Sequence, residues 1–135
     1  MMDLLVTHPV KKSDLGFHGN LFGGKLLSWV DAALAAYAME KCRSQNMITI
    51  ALDQCVFKKP AKEKQLVKIY AKMIKVGNTS ATFNVEARAY NVFRGDESVL
   101  LATNMTFVIV DEEGIPIPIS EQVKRMFKIP ESKLW

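Results

Sequence analysis

Asp31 is the only charged residue between Lys25 and Glu40, inside a run dominated by alanine and leucine. An ionised carboxylate is expensive to bury without partners. It therefore either faces a polar gap or a neighbouring backbone amide, or it forms the wall of a cleft. In a cleft its surroundings tune it to act as a general base or a nucleophile. Gly23 and Gly24 lie two turns before it, where a helix would begin. Free backbone N–H groups at a helix N-terminus carry partial positive charge and can hold an anion or a polarised carbonyl oxygen. The plainer role of such a glycine pair is close packing of helix on sheet. Asn20, a few residues earlier, is either a helix cap or a group that orients a water or a carbonyl. His18 is a weaker candidate, because a histidine in a glycine-rich loop is often a hydrogen-bonding turn residue.

Other chemistries lack their residues. The sequence has no G-x-S-x-G, G-x-x-x-x-G-K-[ST], H-E-x-x-H or G-x-G-x-x-G, so serine-triad hydrolysis, P-loop phosphoryl transfer and dinucleotide redox chemistry find no support. Two cysteines, Cys42 and Cys55, are too few for a disulfide scaffold, and with two histidines they make no obvious zinc site. No metal is expected. The net charge of +4 fits a polyanionic ligand such as a phosphorylated cofactor. Lysines cluster at Lys58, Lys59, Lys62 and Lys64 and again at Lys68, Lys72 and Lys75. They read first as a solvated face. Aromatics are not interleaved with them as on a single-strand nucleic-acid platform, so no nucleic-acid partner is expected.

The elements that must position these residues follow from periodicity. Four of the seven glycines fall within residues 16–24, which marks a tightly shaped loop. Residues 25–43 hold neither proline nor glycine, and apolar side chains point in nearly every direction around the axis, which predicts a long buried helix. Residues 47–57, 65–76, 79–93 and 98–110 carry strand patterns, with period-two alternation clearest in the second and third. Gly77-Asn78, Arg94-Gly95-Asp96 and Glu113-Gly114 are turn chemistry. Pro9 makes residues 1–15 an edge strand or an extended arm. Residues 120–128 suggest a short C-terminal helix. The expected class is α+β: one domain over residues 1–135, in which a curved antiparallel sheet of five to six strands, four of them a long meander, wraps one long central helix.

The run His18-Gly19-Asn20-Leu21-Phe22-Gly23-Gly24-Lys25-Leu26-Leu27-Ser28-Trp29-Val30-Asp31 resembles the signature of hotdog-fold acyl-CoA thioesterases of the broad acyl-CoA hydrolase branch. Asp53-Gln54-Cys55-Val56-Phe57-Lys58-Lys59-Pro60 resembles that family's strand leading into an F-x-x-P loop. Lys75-Val76-Gly77-Asn78-Thr79-Ser80 resembles its K-V-G-x-[TS]-S hairpin. The resemblance covers residues 3–118. It implies a hotdog fold, edge-to-edge dimers assembled further into tetramers or hexamers, and two active sites per dimer at the interface. It also implies that the thioester carbonyl sits at the helix N-terminus, with Asp31 and Asn20 supplied by opposite subunits. Two departures stand out. Many bacterial relatives carry Asp where this chain has Asn20, and more distant ones carry His where it has Phe22.

The expected function is hydrolysis of acyl-CoA to free acid and coenzyme A. Asp31 activates water or attacks directly, Gly23 or Gly24 N–H stabilises the oxyanion, and Asn20 orients the water or carbonyl. Phe22, Lys58, Lys59, Lys75, Gly77, Asn78, Thr79 and Ser80 are the expected substrate and coenzyme A contacts. Coenzyme A enters only as part of substrate and product, with no separate cofactor. A hydratase of this fold would usually need a site histidine, and Phe22 argues against it. A non-catalytic acyl-CoA binding or sensing protein is the alternative. No stretch reaches the roughly 18 apolar residues of a membrane span, and the first twelve residues lack a signal peptide's pattern. The expected location is the cytoplasm, without membrane insertion.

Overall fold

The computed structural model describes residues 1–127. Strand β1 (Asp3–Pro9) is followed by a 3-10 turn (Lys12–Asp14), helix α1 (Gly23–Cys42), strands β2 (Met47–Leu52), β3 (Val56–Phe57), β4 (Leu66–Val76), β5 (Ser80–Tyr90) and β6 (Glu97–Ile109), and a short helix α2 (Glu121–Met126). All strand pairings are antiparallel, in the order β1-β4-β5-β6-β2, with β3 also on β6.

The alternation in β4 and β5 sets which face meets the helix. Val67, Ile69 and Ala71 of β4 and Ala81, Phe83, Val85, Ala87 and Ala89 of β5 are buried. Phe83 and Phe107 pack edge to face at 5.9 Å between centroids, and Tyr37 of α1 meets Phe83 at 5.7 Å. Helix α1 answers with Leu26, Val30, Leu34, Ala38 and Cys42. That stripe follows an i, i+4 progression on one side of the axis. The helix ends where Arg43 turns left-handed, at φ 51°.

Several expectations need correction. The four long strands do not form one meander: only β4, β5 and β6 run consecutively, and β2 crosses over to the far side of β6. The edge-strand reading of the first segment holds, because β1 occupies the outer edge of β4. The chain leaving the helix must therefore join the opposite edge. The segment 47–57 is two strands rather than one. A break at residues 53–55 divides it, and within β2 the register on β6 shifts between Thr49 and Ala51. The helix is not buried all round, since Asp31, Ala32, Ala36 and Met39 are exposed on the side that the sheet does not reach. Ile48, Ile50, Leu52, Val56 and Phe57 along β2 and β3 are likewise exposed. Of the predicted C-terminal helix, residues 121–126 are helical, with the Ser120 hydroxyl capping Val123 N–H at 3.2 Å. Its last predicted residue, Lys128, lies outside the described residues. No helix among the described residues is long and apolar enough to cross a membrane.

Candidate active site

The glycine-rich segment folds back on itself before the helix starts. Phe22 N–H donates to Asp14 O at 3.0 Å, Leu15 bridges Leu21, and Gly16 N–H donates to Asn20 O at 2.8 Å. Gly19 takes φ +81° at the tip, a left-handed conformation that favours glycine. Leu21 N–H reaches Ala61 O at 2.8 Å, and Lys58 N–H reaches Leu100 O at 2.8 Å. These bonds set the loop after β3 beside the start of α1.

Between them lies a cleft of about 320 Å³. Its lining includes Leu21, Leu26, Ala61 and Leu100, all buried side chains that make an apolar floor. His18, Asn20, Lys58 and Lys59 supply the polar lining, and Gly23, Phe57 and Pro60 complete the wall. The volume and the mix of apolar floor with a few polar groups are those of a small-molecule site.

The helix begins at Gly23, with Phe22 in the N-cap position and no side chain capping it. Asn20 is thus not the cap. Its backbone N–H donates to His18 Nδ1 at 3.1 Å, and its side chain makes no hydrogen bond among the described residues. The N–H groups of Gly23 and Gly24 also have no partner among the described residues. Both glycines lie against aromatic rings. A Cβ on Gly24 would stand 2.8 Å from Phe22 Cε2, and one on Gly23 would stand 3.3 Å from Phe57 Cζ. Two free donors at a helix start, beside an apolar cleft, can hold the oxygen of a carbonyl as it gains charge.

Asp31 stands apart from this cleft. Its Oδ1 accepts a hydrogen bond of 2.7 Å from the Thr49 hydroxyl of β2, on the exposed side of the helix. Seven residues separate it from Gly24, about 10 Å along the axis at 1.5 Å per residue. The polar gap was one of the two readings of this carboxylate, and within one chain it is the geometry found.

Asn20, Gly23, Lys58 and Lys59 are brought together. Gly24 and Phe22 lie next to the cleft without lining it. Lys75, Gly77, Asn78, Thr79 and Ser80 are not brought to it. Their hairpin is tied to the other end of β6, where Ile109 N–H meets Thr79 O at 3.0 Å. That is roughly 30 Å from the Leu100 contact at about 3.4 Å per residue. Asn78 is occupied there, its side chain accepting from Lys124 Nζ at 2.8 Å and its carbonyl from Ile119 N–H at 2.7 Å. Lys68 lies over the Tyr90 ring at 4.3 Å on the sheet's outer face, so an aromatic does stand beside one of the lysines. Sequence reasoning missed Thr49, Ala61 and Leu100, which belong to the site region only through cross-strand and loop contacts. It also missed Asp14, a buried carboxylate whose signal was its place just before the glycine-rich loop. Among the described residues no group of three or more His, Cys, Asp or Glu side chains is placed to hold a metal ion.

The family model of the thioesterase superfamily matches residues 18–92. An uncharacterised acyl-CoA thioester hydrolase of Bacillus subtilis is 30% identical over 117 residues, 87% of this chain and 67% of that one. The acetyl-coenzyme A thioesterase of Rattus norvegicus is 28% identical over 107 residues. The match covers 79% of this chain but only 19% of that longer protein. Among solved structures, a hexameric hotdog-fold thioesterase of Campylobacter jejuni superposes with a TM-score of 0.80 at 33% identity, covering 93% of this chain and 96% of that one.

Proposed function

Because the chain belongs to the thioesterase superfamily, we propose that it hydrolyses acyl-CoA thioesters to a free acid and coenzyme A. The observation that carries this is the uncapped start of α1, whose Gly23 and Gly24 N–H groups stand free beside an apolar cleft. The relatives reported above are named as thioester hydrolases or thioesterases, and none of them as a non-catalytic binder.

In this mechanism the thioester carbonyl oxygen points at the Gly23 and Gly24 amides and the acyl chain runs over Leu21, Leu26, Ala61 and Leu100. Asn20 orients the attacking water. Asp31 takes the proton as water adds to the carbonyl carbon. The tetrahedral intermediate then expels the coenzyme A thiolate, which recovers a proton. Alternatively, the carboxylate adds to the carbonyl carbon, the C–S bond breaks to release the coenzyme A thiolate and leave a mixed anhydride, and water then cleaves that anhydride to the free acid and the regenerated carboxylate. Thiolate is a good leaving group, so no strong general acid is needed.

Asp31 faces away from its own chain's cleft, so it acts on the cleft of a second subunit. The exposed apolar residues of β2 and β3 support pairing along that edge, which an unpaired strand invites. A dimer formed there is the unit from which a hexamer is built, the assembly named for the Campylobacter protein. Lys58 and Lys59, at the cleft, meet the phosphates. Lys75 and the hairpin of Gly77, Asn78, Thr79 and Ser80 join them only where another subunit brings the hairpin near. Coenzyme A is part of substrate and product, no separate cofactor is required, and the location is cytoplasmic.

Thiol release from short, medium and long acyl-CoAs tests this directly. The wild type turns over part of the panel, and Asp31→Asn loses about 10²–10⁴-fold in kcat, the usual worth of a general base. A folded, oligomeric wild type that releases no thiol from any member would refute the assignment.

A further inference from the structure

Asp14 is the charged side chain that the proposed chemistry leaves unused. It is 4% exposed, against 42% for Lys25, whose Nζ lies 3.7 Å from its Oδ1. Among the described residues it is the only charged side chain that is buried. A buried carboxylate is stable only when each oxygen has a partner. Here Oδ2 accepts the Lys11 N–H at 2.9 Å, and Oδ1 faces Lys25.

The same residue closes the loop with its main chain. Asp14 O accepts from Phe22 N–H, so residues 14–22 form a small hairpin with Asp14 and Phe22 at its base and Asn20 near its tip. Phe22 is also the N-cap of α1, and Lys25 lies in the helix's first turn. Asp14 therefore ties together the 3-10 turn, the hairpin and the helix start.

Its charge has a second consequence. A carboxylate near a helix N-terminus favours the resting helix, but it opposes a further negative charge growing on a carbonyl oxygen at that end. Lys25 offsets it.

We propose that Asp14 and Lys25 are a positioning pair. Asp14 anchors the hairpin that presents Asn20 and the glycine amides, and Lys25 neutralises the buried carboxylate so that those amides keep their field for the oxyanion. The pair touches no substrate, and its role in turnover rests on the thioesterase assignment above.

The test combines Lys25→Met, Asp14→Ala and the double variant Asp14→Asn/Lys25→Met, with kcat and KM measured separately and amide hydrogen exchange followed in parallel. Lys25→Met lowers kcat on the order of tenfold with KM little changed, the pattern of a lost transition-state interaction. Asp14→Asn keeps an acceptor for Lys11 N–H and removes the charge, so the double variant recovers kcat relative to Lys25→Met. A role in stability alone instead lowers the urea midpoint of Lys25→Met and restores it in the double variant, with kcat per folded enzyme unchanged in both. Asp14→Ala speeds exchange at residues 16–24 while β4 and β5 keep their protection. Wild-type kcat in Lys25→Met, or no recovery in the double variant, overturns the neutralising role. Unchanged exchange at residues 16–24 in Asp14→Ala overturns the anchor. A wild type without turnover is instead a failure of the thioesterase assignment, visible before any variant is made, and the exchange measurement still decides the anchor.

Discussion

Individual side chains divide the proposed site into a floor and a reacting end. Ala61 is the smallest of the buried floor residues. Enlarging it shortens the space for an acyl chain without touching Asn20 or the glycine amides. Ala61→Leu shifts the acyl-CoA preference toward shorter chains, and each methylene lost from a well-filled pocket is worth about 10–200-fold in kcat/KM. Turnover across the chain-length panel checks it, and an unchanged profile would place the acyl chain elsewhere. Cys42 makes a prediction about stability instead. Burial pushes its thiol from an ordinary 9.0 up to about 11. Between those values the unfolded chain ionises while the folded chain does not, so stability is intact below pH 9 and falls as pH rises toward 11. Tyr37 adds to the fall once pH passes 10.0, the ordinary value of a phenol that burial and then its bond to Asp3 push up in the fold. Between about pH 8.5, below the unfolded thiol's value, and about pH 10.5, between it and the folded value of about 11, the urea midpoint is expected to drop more for wild type than for Cys42→Ala.

At the level of elements, α1 serves both packing and chemistry with opposite ends and faces. Its Leu26 to Cys42 stripe holds the sheet, while its first turn offers donors. Gly24→Ala separates the two. Alanine favours the helix over glycine by roughly 0.5–1 kcal/mol, but its Cβ would meet the Phe22 ring at 2.8 Å. Phe22 is exposed and can swing aside, so the fold tolerates the change and the ring moves at the cleft mouth. The expected result is a melting temperature within about 4 °C of wild type, the equivalent of about 1 kcal/mol in a domain of this size, with a clear fall in kcat. A variant that loses stability and keeps kcat would place the glycine's role in packing alone.

At the scale of the whole molecule, an exposed apolar strip bears on how subunits pair. The apolar strip along β2 and β3 and the exposed carboxylate of Asp31 lie on the same side, linked by the Thr49–Asp31 hydrogen bond. If that side is the subunit interface, the two halves of each site come from different chains. Asp31→Asn and Asn20→Ala are then each inactive alone. Mixed after unfolding and refolding together, they regain up to roughly a quarter of wild-type turnover, because half the dimers are mixed and each mixed two-fold dimer has one intact site. No recovery on mixing would mean that Asp31 and Asn20 act within one chain. Ile50→Glu on the β2 edge is expected to shift the protein toward monomer in sedimentation and to lose activity with it.

The sequence by itself determined the elements and most of the chemistry near the helix start. Strict alternation in β4 and β5 and the absence of helix breakers after Gly24 are local signals, and local periodicity encodes which face is buried. The motif around Asn20, Gly23 and Gly24 is contiguous, so the residues that share the cleft from that segment were legible too. Only the tertiary structure decided that β2 crosses to the far side of β6, that the segment 47–57 breaks in two, and that α1 is covered on one side. Those depend on which edge of the sheet is free, a property of distant segments. The same holds for the site. Apolar residues such as Ala61 and Leu100 gain a role only when the loop after β3 and the register of β6 bring them to the same cleft as Gly23. Asp31, which in sequence reads as part of a buried helix, faces outward because one sheet cannot surround one helix. Asp14 shows the converse case: a charge in a polar stretch is buried because three separate segments close over it.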